Sequence, residues 1–201
     1  MNTTQISEIA RQRLAEIGPG SEEINMWRAY LPRYQPSVQY PDDAFAWLTC
    51  ILALAAVKKG NFGVGCILID QSGTVISHGH NEVFHPYFRS DRHAEMVVMD
   101  EFEDANPDFQ KRGDYTLYTS LEPCPMCLVR LSASNVKKVV FVAPDMDGGM
   151  VHKITDLPVF WVELLQTRVC RQASCSSGLV DAAQQIFLLN LAELNAKIRA
   201  Q

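Results

Sequence analysis

Apolar and polar positions divide the chain near residue 42. Before it the patterning is light. An amphipathic helical period covers Ile6 to Ile17, Gly18-Pro19-Gly20 breaks it, and a second short helical piece covers Glu22 to Tyr30. An extended run with Pro32, Pro36 and Pro41 follows. This stretch, residues 1 to 42, reads as a helical N-terminal appendage, and residues 43 to 201 as one domain.

After Asp42 the pattern is regular. Asp42-Asp43 is placed to cap a helix running to about Lys59 through the apolar run Ala44 to Val57, which is too short for a bilayer and reads as a buried helix. Cys66 to Asp70 and Thr74 to His78, joined by the turn Gln71-Ser72-Gly73, predict an antiparallel hairpin. A polar and aromatic loop, Gly79 to Arg92, precedes a helix over His93 to Asp104. Tyr115 to Thr119 is β-rich, a helix continues to about Ser134, and Lys138 to Ala143 is another strand. The loop Pro144 to Met150 leads to a helical stretch over Pro158 to Gln166, a fifth strand near Arg168 to Ala173, and a terminal helix over Gly178 to Arg199. Strands separated by helices of this length imply an α/β fold, a mixed sheet covered on both faces with a parallel portion after the hairpin.

Composition supports one ample core: 201 residues, 47% of them hydrophobic. The first residues lack a basic segment followed by an apolar one, so the expectation is a cytoplasmic protein with no membrane partner. In a reducing compartment the six cysteines are expected as thiols or metal ligands. A net charge of −5 speaks against a long polyanion as partner, without excluding one. Lys111-Arg112 and Lys137-Lys138 read as solvated edges.

The chemistry concentrates at Leu121-Glu122-Pro123-Cys124-Pro125-Met126-Cys127. Two thiols three residues apart share a helix face, and the prolines place them at a helix start, where exposed N–H groups favour thiolates. Two thiolates leave a Zn2+ ion half-coordinated, and His93, at the opening of an earlier helix with Glu95 two residues on, is the candidate for the missing ligand. Three protein ligands with an open fourth position describe a catalytic zinc, at which the pKa of a water falls to near 7. Glu95 is then the candidate proton carrier. A redox dithiol and a structural zinc are the rival readings of the thiols.

His93-Ala94-Glu95-Met96 and Thr119 to Cys127 resemble the cytidine deaminase superfamily, in the branch of tRNA adenosine deaminases and guanine deaminases; the pattern is also a general signature of zinc base deaminases. The resemblance covers about Ala44 to Ala143. It implies a three-layer α/β/α cytidine deaminase-like fold with a mixed five-stranded sheet, His93, Cys124 and Cys127 as zinc ligands, Glu95 as the proton shuttle, and a homodimer. Asn81, in Gly79-His80-Asn81, resembles the family asparagine that meets base or sugar. Val64-Gly65-Cys66 resembles the first strand whose backbone lies against the ring, so Val64 and Gly65 join the substrate-binding candidates, with Asp147 of the loop Asp145 to Gly149.

Within the resemblance, Arg89-Ser90-Asp91-Arg92 departs from the small residues usual before His-Ala-Glu, and is placed to shape the pocket rim or meet a phosphate. Phe84, Tyr87 and Phe88 suit a wall for a planar base, a core plug or a dimer contact. His80 and His85 are placed to border the pocket, and Cys170 and Cys175 read as plain thiols. The expected reaction is hydrolytic deamination of an amino-bearing base. A purine is favoured as free base or nucleoside on account of the acidic charge, with tRNA adenosine also possible. A pyrimidine substrate (cytosine, cytidine or dCMP) and a catalytically silent interaction protein are the alternatives.

Overall fold

A computed structural model describes residues 3–108 and 113–200; Lys111-Arg112 lies outside the described residues. The chain runs α1 (Thr3–Glu16), α2 (Glu22–Tyr30), α3 (Asp43–Lys58), β1 (Gly65–Ile69), β2 (Val75–His80), α4 (Ala94–Ala105), β3 (Tyr115–Leu121), α5 (Pro125–Ser132), β4 (Val136–Ala143), α6 (Val159–Gln166), β5 (Val169–Gln172) and α7 (Ser177–Arg199). Short 3-10 turns occupy Leu31–Arg33 and Val151–Asp156.

The five strands form one sheet in the order β2-β1-β3-β4-β5. The β2–β1 and β1–β3 pairs are antiparallel and the β3–β4 and β4–β5 pairs are parallel. Strand β1 is buried along its whole length, as expected of a continuous apolar run with both faces covered. Its register shows which helix covers which face. Gly65 pairs with His80 and Cys66 with Gly79. A Cβ on Gly65 would strike α3, 2.3 Å from Thr49 O and 2.5 Å from Leu52 Cβ, whereas one on Gly79 would meet Val97 and Val98 of α4. Successive residues of a strand point to opposite faces, so α3 and α4 lie on opposite sides of the sheet.

Helix α3 is buried from Asp43 through Val57, and its apolar circumference is that of a helix wrapped on all sides. Part of the wrapping comes from residues 1 to 42. Rather than standing apart, they contribute Ile6, Ala10, Ile17 and Leu31 to the same core. Gln5 also pairs with the free edge of β2 at its first residue: its Nε2 donates to Val75 O and its Oε1 accepts from Val75 N, both at 2.9 Å, as a neighbouring strand would.

The acidic pair at the start of α3 does not make the side-chain cap expected of it. Asp42 occupies the N-cap position but makes no side-chain cap bond. Its buried carboxylate instead accepts from Arg171 Nη1 at 2.6 Å, Arg171 Nη2 at 3.1 Å, Tyr118 Oη at 2.7 Å and Ser174 N at 2.6 Å, joining α3 to β3 and β5. Asp43 accepts from Tyr34 Oη, Ser37 N and Ser176 N, tying the N-terminal segment to the start of α7. No helix of the described residues is long and apolar enough to cross a membrane.

Candidate metal centre and active-site cleft

Two helix N-termini meet beyond the end of β3. His93 is the N-cap residue of α4 and Cys124 that of α5; Pro125 then opens α5, and Cys127 lies in its first turn. Both N-caps are extended in backbone and make no side-chain cap bond, so their side chains serve each other. His93 Nδ1 stands 3.5 Å from Cys124 Sγ and 3.6 Å from Cys127 Sγ, and the two Sγ atoms are 3.6 Å apart. A tetrahedral zinc with Zn–S of about 2.3 Å and Zn–N of about 2.0 Å needs edges of roughly 3.5–3.8 Å, so the triangle fits that ion. Among the described residues no other group of three potential ligands converges in this way. Cys170 and Cys175 are free and partly buried.

The hydrogen bond with Cys127 is the main force holding the Cys124 thiol down at about 4, with His93 assisting against the cost of burial. The same contact, with burial, pushes Cys127 well above its ordinary value. For His93 burial opposes the charge, but the hydrogen bond and charge of Cys124 outweigh it and raise the imidazole.

Glu95 lies in the first turn of α4 with its carboxyl buried beside the triangle. Its Oε1 accepts from Thr119 Oγ1 at 3.1 Å, and its Oε2 stands 3.4 Å from Cys127 Sγ. Burial, then the Cys124 charge, raises its pKa above the usual carboxylate range, in the direction a group that both takes and returns a proton requires.

The cluster opens into a cleft of about 760 Å³ lined by Phe62, Val64, Asn81, His93, Glu95, Leu121, Glu122, Cys124, residues 144–148 and one face of α7. Of the substrate-binding candidates, Val64, Asn81 and Asp147 line this cleft. Asn81 is buried and fixed, its N–H donating to Val64 O at 2.9 Å and its Oδ1 accepting from Val83 N at 3.1 Å. Asp147 is on the exposed rim. Gly65 does not line the cleft: its missing side chain faces α3, so close helix packing demands the glycine there.

The aromatic loop is also placed differently from one of its expected roles. Phe84 packs on Phe62 at 5.8 Å between ring centroids and on Phe88 at 5.5 Å, so it stands behind a cleft residue and is not itself a wall; Tyr87 is largely exposed. His80 and His85 lie outside the lining. His80 is buried, its Nδ1 3.0 Å from Asn81 O and its Nε2 3.1 Å from Lys59 Nζ. Arg89 pairs with Asp91, and Arg92 with Glu82 and Asp100, so both guanidinium groups are engaged within the protein.

Three features went unseen in the sequence. Thr119 and Glu122 belong to the motif itself yet showed no role. The α7 wall comprises Gln184, Phe187, Leu188, Leu191, Asn195, Ile198 and Arg199, whose three- and four-residue spacing is that of a single helix face.

Fold and site together define a deaminase of the zinc-binding class. The chain belongs to the family described as cytidine and deoxycytidylate deaminase zinc-binding region, which matches residues 41–143. It is 37% identical over 129 residues to a tRNA-specific adenosine deaminase of Bacillus subtilis, covering 64% of this chain and 74% of the relative. A tRNA-specific adenosine deaminase of Aquifex aeolicus is 34% identical over 106 residues, covering 52% and 68%. Among solved structures, a guanine deaminase from Nitrosomonas europaea superposes with a TM-score of 0.58 at 19% identity, covering 85% of this chain and 94% of that one.

Proposed function

We propose that the protein hydrolytically deaminates adenosine within tRNA. The observation that carries the chemistry is the His93, Cys124 and Cys127 triangle with the buried Glu95 carboxyl against it. His93, Cys124 and Cys127 are the residues that would hold zinc, whose chemistry would be to lower the pKa of a water towards neutrality. Glu95 is the proton carrier. Thr119 holds its Oε1, and Oε2 is the oxygen proposed to take a first proton from the attacking water and give it to the ring nitrogen, then a second from the added hydroxyl and give it to the departing amine. Water adds to the ring carbon bearing the amino group and ammonia leaves, giving the oxo base. Val64, Asn81 and Asp147 are the proposed base contacts, Asn81 fixed in advance by its two hydrogen bonds. Residues 43 to 201 are assigned the deaminase domain, with residues 1 to 42 bracing α3.

The choice of tRNA is supported by the named activities of the sequence relatives. The cleft supports it too. Its α7 wall extends from Gln184 to Arg199, roughly 22 Å at 1.5 Å per residue, longer than a purine alone. A free purine such as guanine is the second reading, favoured by the net charge of −5. The proposed homodimer uses α6, where Val159 and Phe160 are 72% and 61% exposed on a strongly apolar helix.

The test is ammonia release by zinc-loaded protein against an anticodon stem-loop with adenosine at the wobble position, adenosine, adenine, guanine and cytidine, with Glu95→Ala as control. Turnover confined to the stem-loop and abolished in the control supports the proposal. Turnover of guanine alone replaces the substrate.

A further inference from the structure

The segment leading into Cys124 is joined to the cleft rim more closely than chain connectivity requires. Glu122 N donates to Ala143 O, and Met150 N donates to Pro123 O, both at 2.9 Å. Between these two backbone bonds lies the Glu122 carboxylate, which is buried and itself lines the cleft. One oxygen, Oε2, accepts from Asp145 N at 3.1 Å. The other, Oε1, accepts from His152 N at 2.9 Å and meets His152 Nδ1 at 2.8 Å, so that ring nitrogen carries the proton. Gly149 presses so closely on this carboxylate that an added Cβ would fall 2.6 Å from Glu122 Cδ and 2.4 Å from Asp145 O.

We propose that Glu122 and His152 form a positioning pair that locks the rim loop, residues 145–152, to the segment bearing Cys124. Substrate then meets a rim already set in place relative to the metal ligands. A carboxylate suits this junction because it has acceptors only. Three donors converge on it from both ends of one loop, and a neutral amide in its place would turn an NH2 group toward the Asp145 N–H. The inference rests on the deaminase reading for its effect on substrate but not for the lock itself.

The experiment uses the zinc-loaded full chain and the variants Glu122→Gln, His152→Ala and His152→Asn. Asparagine can place its Nδ2 near the position of the histidine Nδ1 and so restore the donor. Hydrogen–deuterium exchange across residues 145–152 is measured without substrate. Zinc content is measured alongside, as are KM and kcat on whichever substrate the protein turns over. Loss of a hydrogen bond to a buried carboxylate should speed exchange there roughly 10- to 100-fold in Glu122→Gln and His152→Ala. Zinc stays at the wild-type level, KM rises, kcat changes little, and His152→Asn returns towards wild type.

Because the His152 side chain is partly exposed, that variant remains informative if Glu122→Gln does not fold. Unchanged exchange in folded His152→Ala, or His152→Asn behaving like His152→Ala, overturns the proposal. If no substrate of the panel is turned over, the functional reading fails while exchange still decides the lock.

Discussion

Gly65 separates two explanations of the same residue, ligand approach and helix packing, and Gly65→Ala distinguishes them. Its backbone is not among the positive-φ glycines, so alanine is conformationally allowed there and even gains about 0.5–1 kcal/mol from the stiffer unfolded chain. The cost is steric. The new Cβ would lie 2.3 Å from Thr49 O, 2.5 Å from Ala53 N and 2.5 Å from Leu52 Cβ. Two of these atoms are backbone of the buried helix α3, so no flexible side chain can move aside and the helix must lift from the sheet. Overpacking of this kind costs about 1–3 kcal/mol, and with backbone atoms opposing it the upper end applies. Net of the backbone gain, roughly 2 kcal/mol is lost, a fall in Tm of about 4–8 °C for a chain of this size. Thermal unfolding followed by circular dichroism measures it. A Tm unchanged within error together with a raised KM would refute the packing argument and return Gly65 to the substrate.

The other expectations are more direct. Glu95→Gln should keep zinc at the wild-type level by atomic absorption, since Glu95 is outside the donor triangle, while turnover falls by about 10²–10⁴ or more; retained turnover would remove Glu95 from the mechanism. For Asp42, burial opposes ionisation, but Arg171, Tyr118 and Ser174 N–H outweigh it and hold its pKa below the usual carboxylate value. Its stabilisation is therefore fully present above the unfolded value near ~3.9 and is lost as pH falls through the lower folded value. Asp42→Asn should cost about 2 kcal/mol at pH 7, less than a fully buried pair because the Arg171 side chain is 42% exposed. Its unfolding curve should approach that of wild type at low pH; a gap as wide at pH 2 as at pH 7 would contradict this. The proposed α6 dimer predicts a mass of two chains for wild type in light scattering and of one chain for Phe160→Asp; a monomeric wild type would remove the dimer, and a dimer that persists in the variant would place the interface elsewhere.

The donor set was legible in the sequence because metal chemistry restricts both residue type and spacing. His93, Cys124 and Cys127 each stand at a helix start, and helix starts are marked locally, by Pro125 for example. The sheet was legible for a similar reason, since hydrophobic period and turn residues are local signals. What stayed hidden depends on distant pairing. Glu122 looks like a motif spacer until residues 145 and 152 fold back onto it. Asp42 reads as a cap because its partner Arg171 is 129 residues away. The α7 wall was obscured because the helix is apolar on more than one face, and only its packing shows that Ala183 and Ile186 are sealed in the core while Phe187 and Leu191, packed against that core, also line the cleft.

That interleaving on α7 gives the two sides of the cleft different freedom to change. On the helix, residues that line the cleft alternate with residues sealed in the interior, and Phe187 packs against that interior as well, so a volume change there reaches the core. Across the cleft, the tip of the rim loop has its backbone secured while the side chains of Met146 and Asp147 stand in solvent. Selection for a new base, in nature or in a library, should therefore accumulate its first substitutions at 146 and 147 and reach α7 only with compensating changes beneath it.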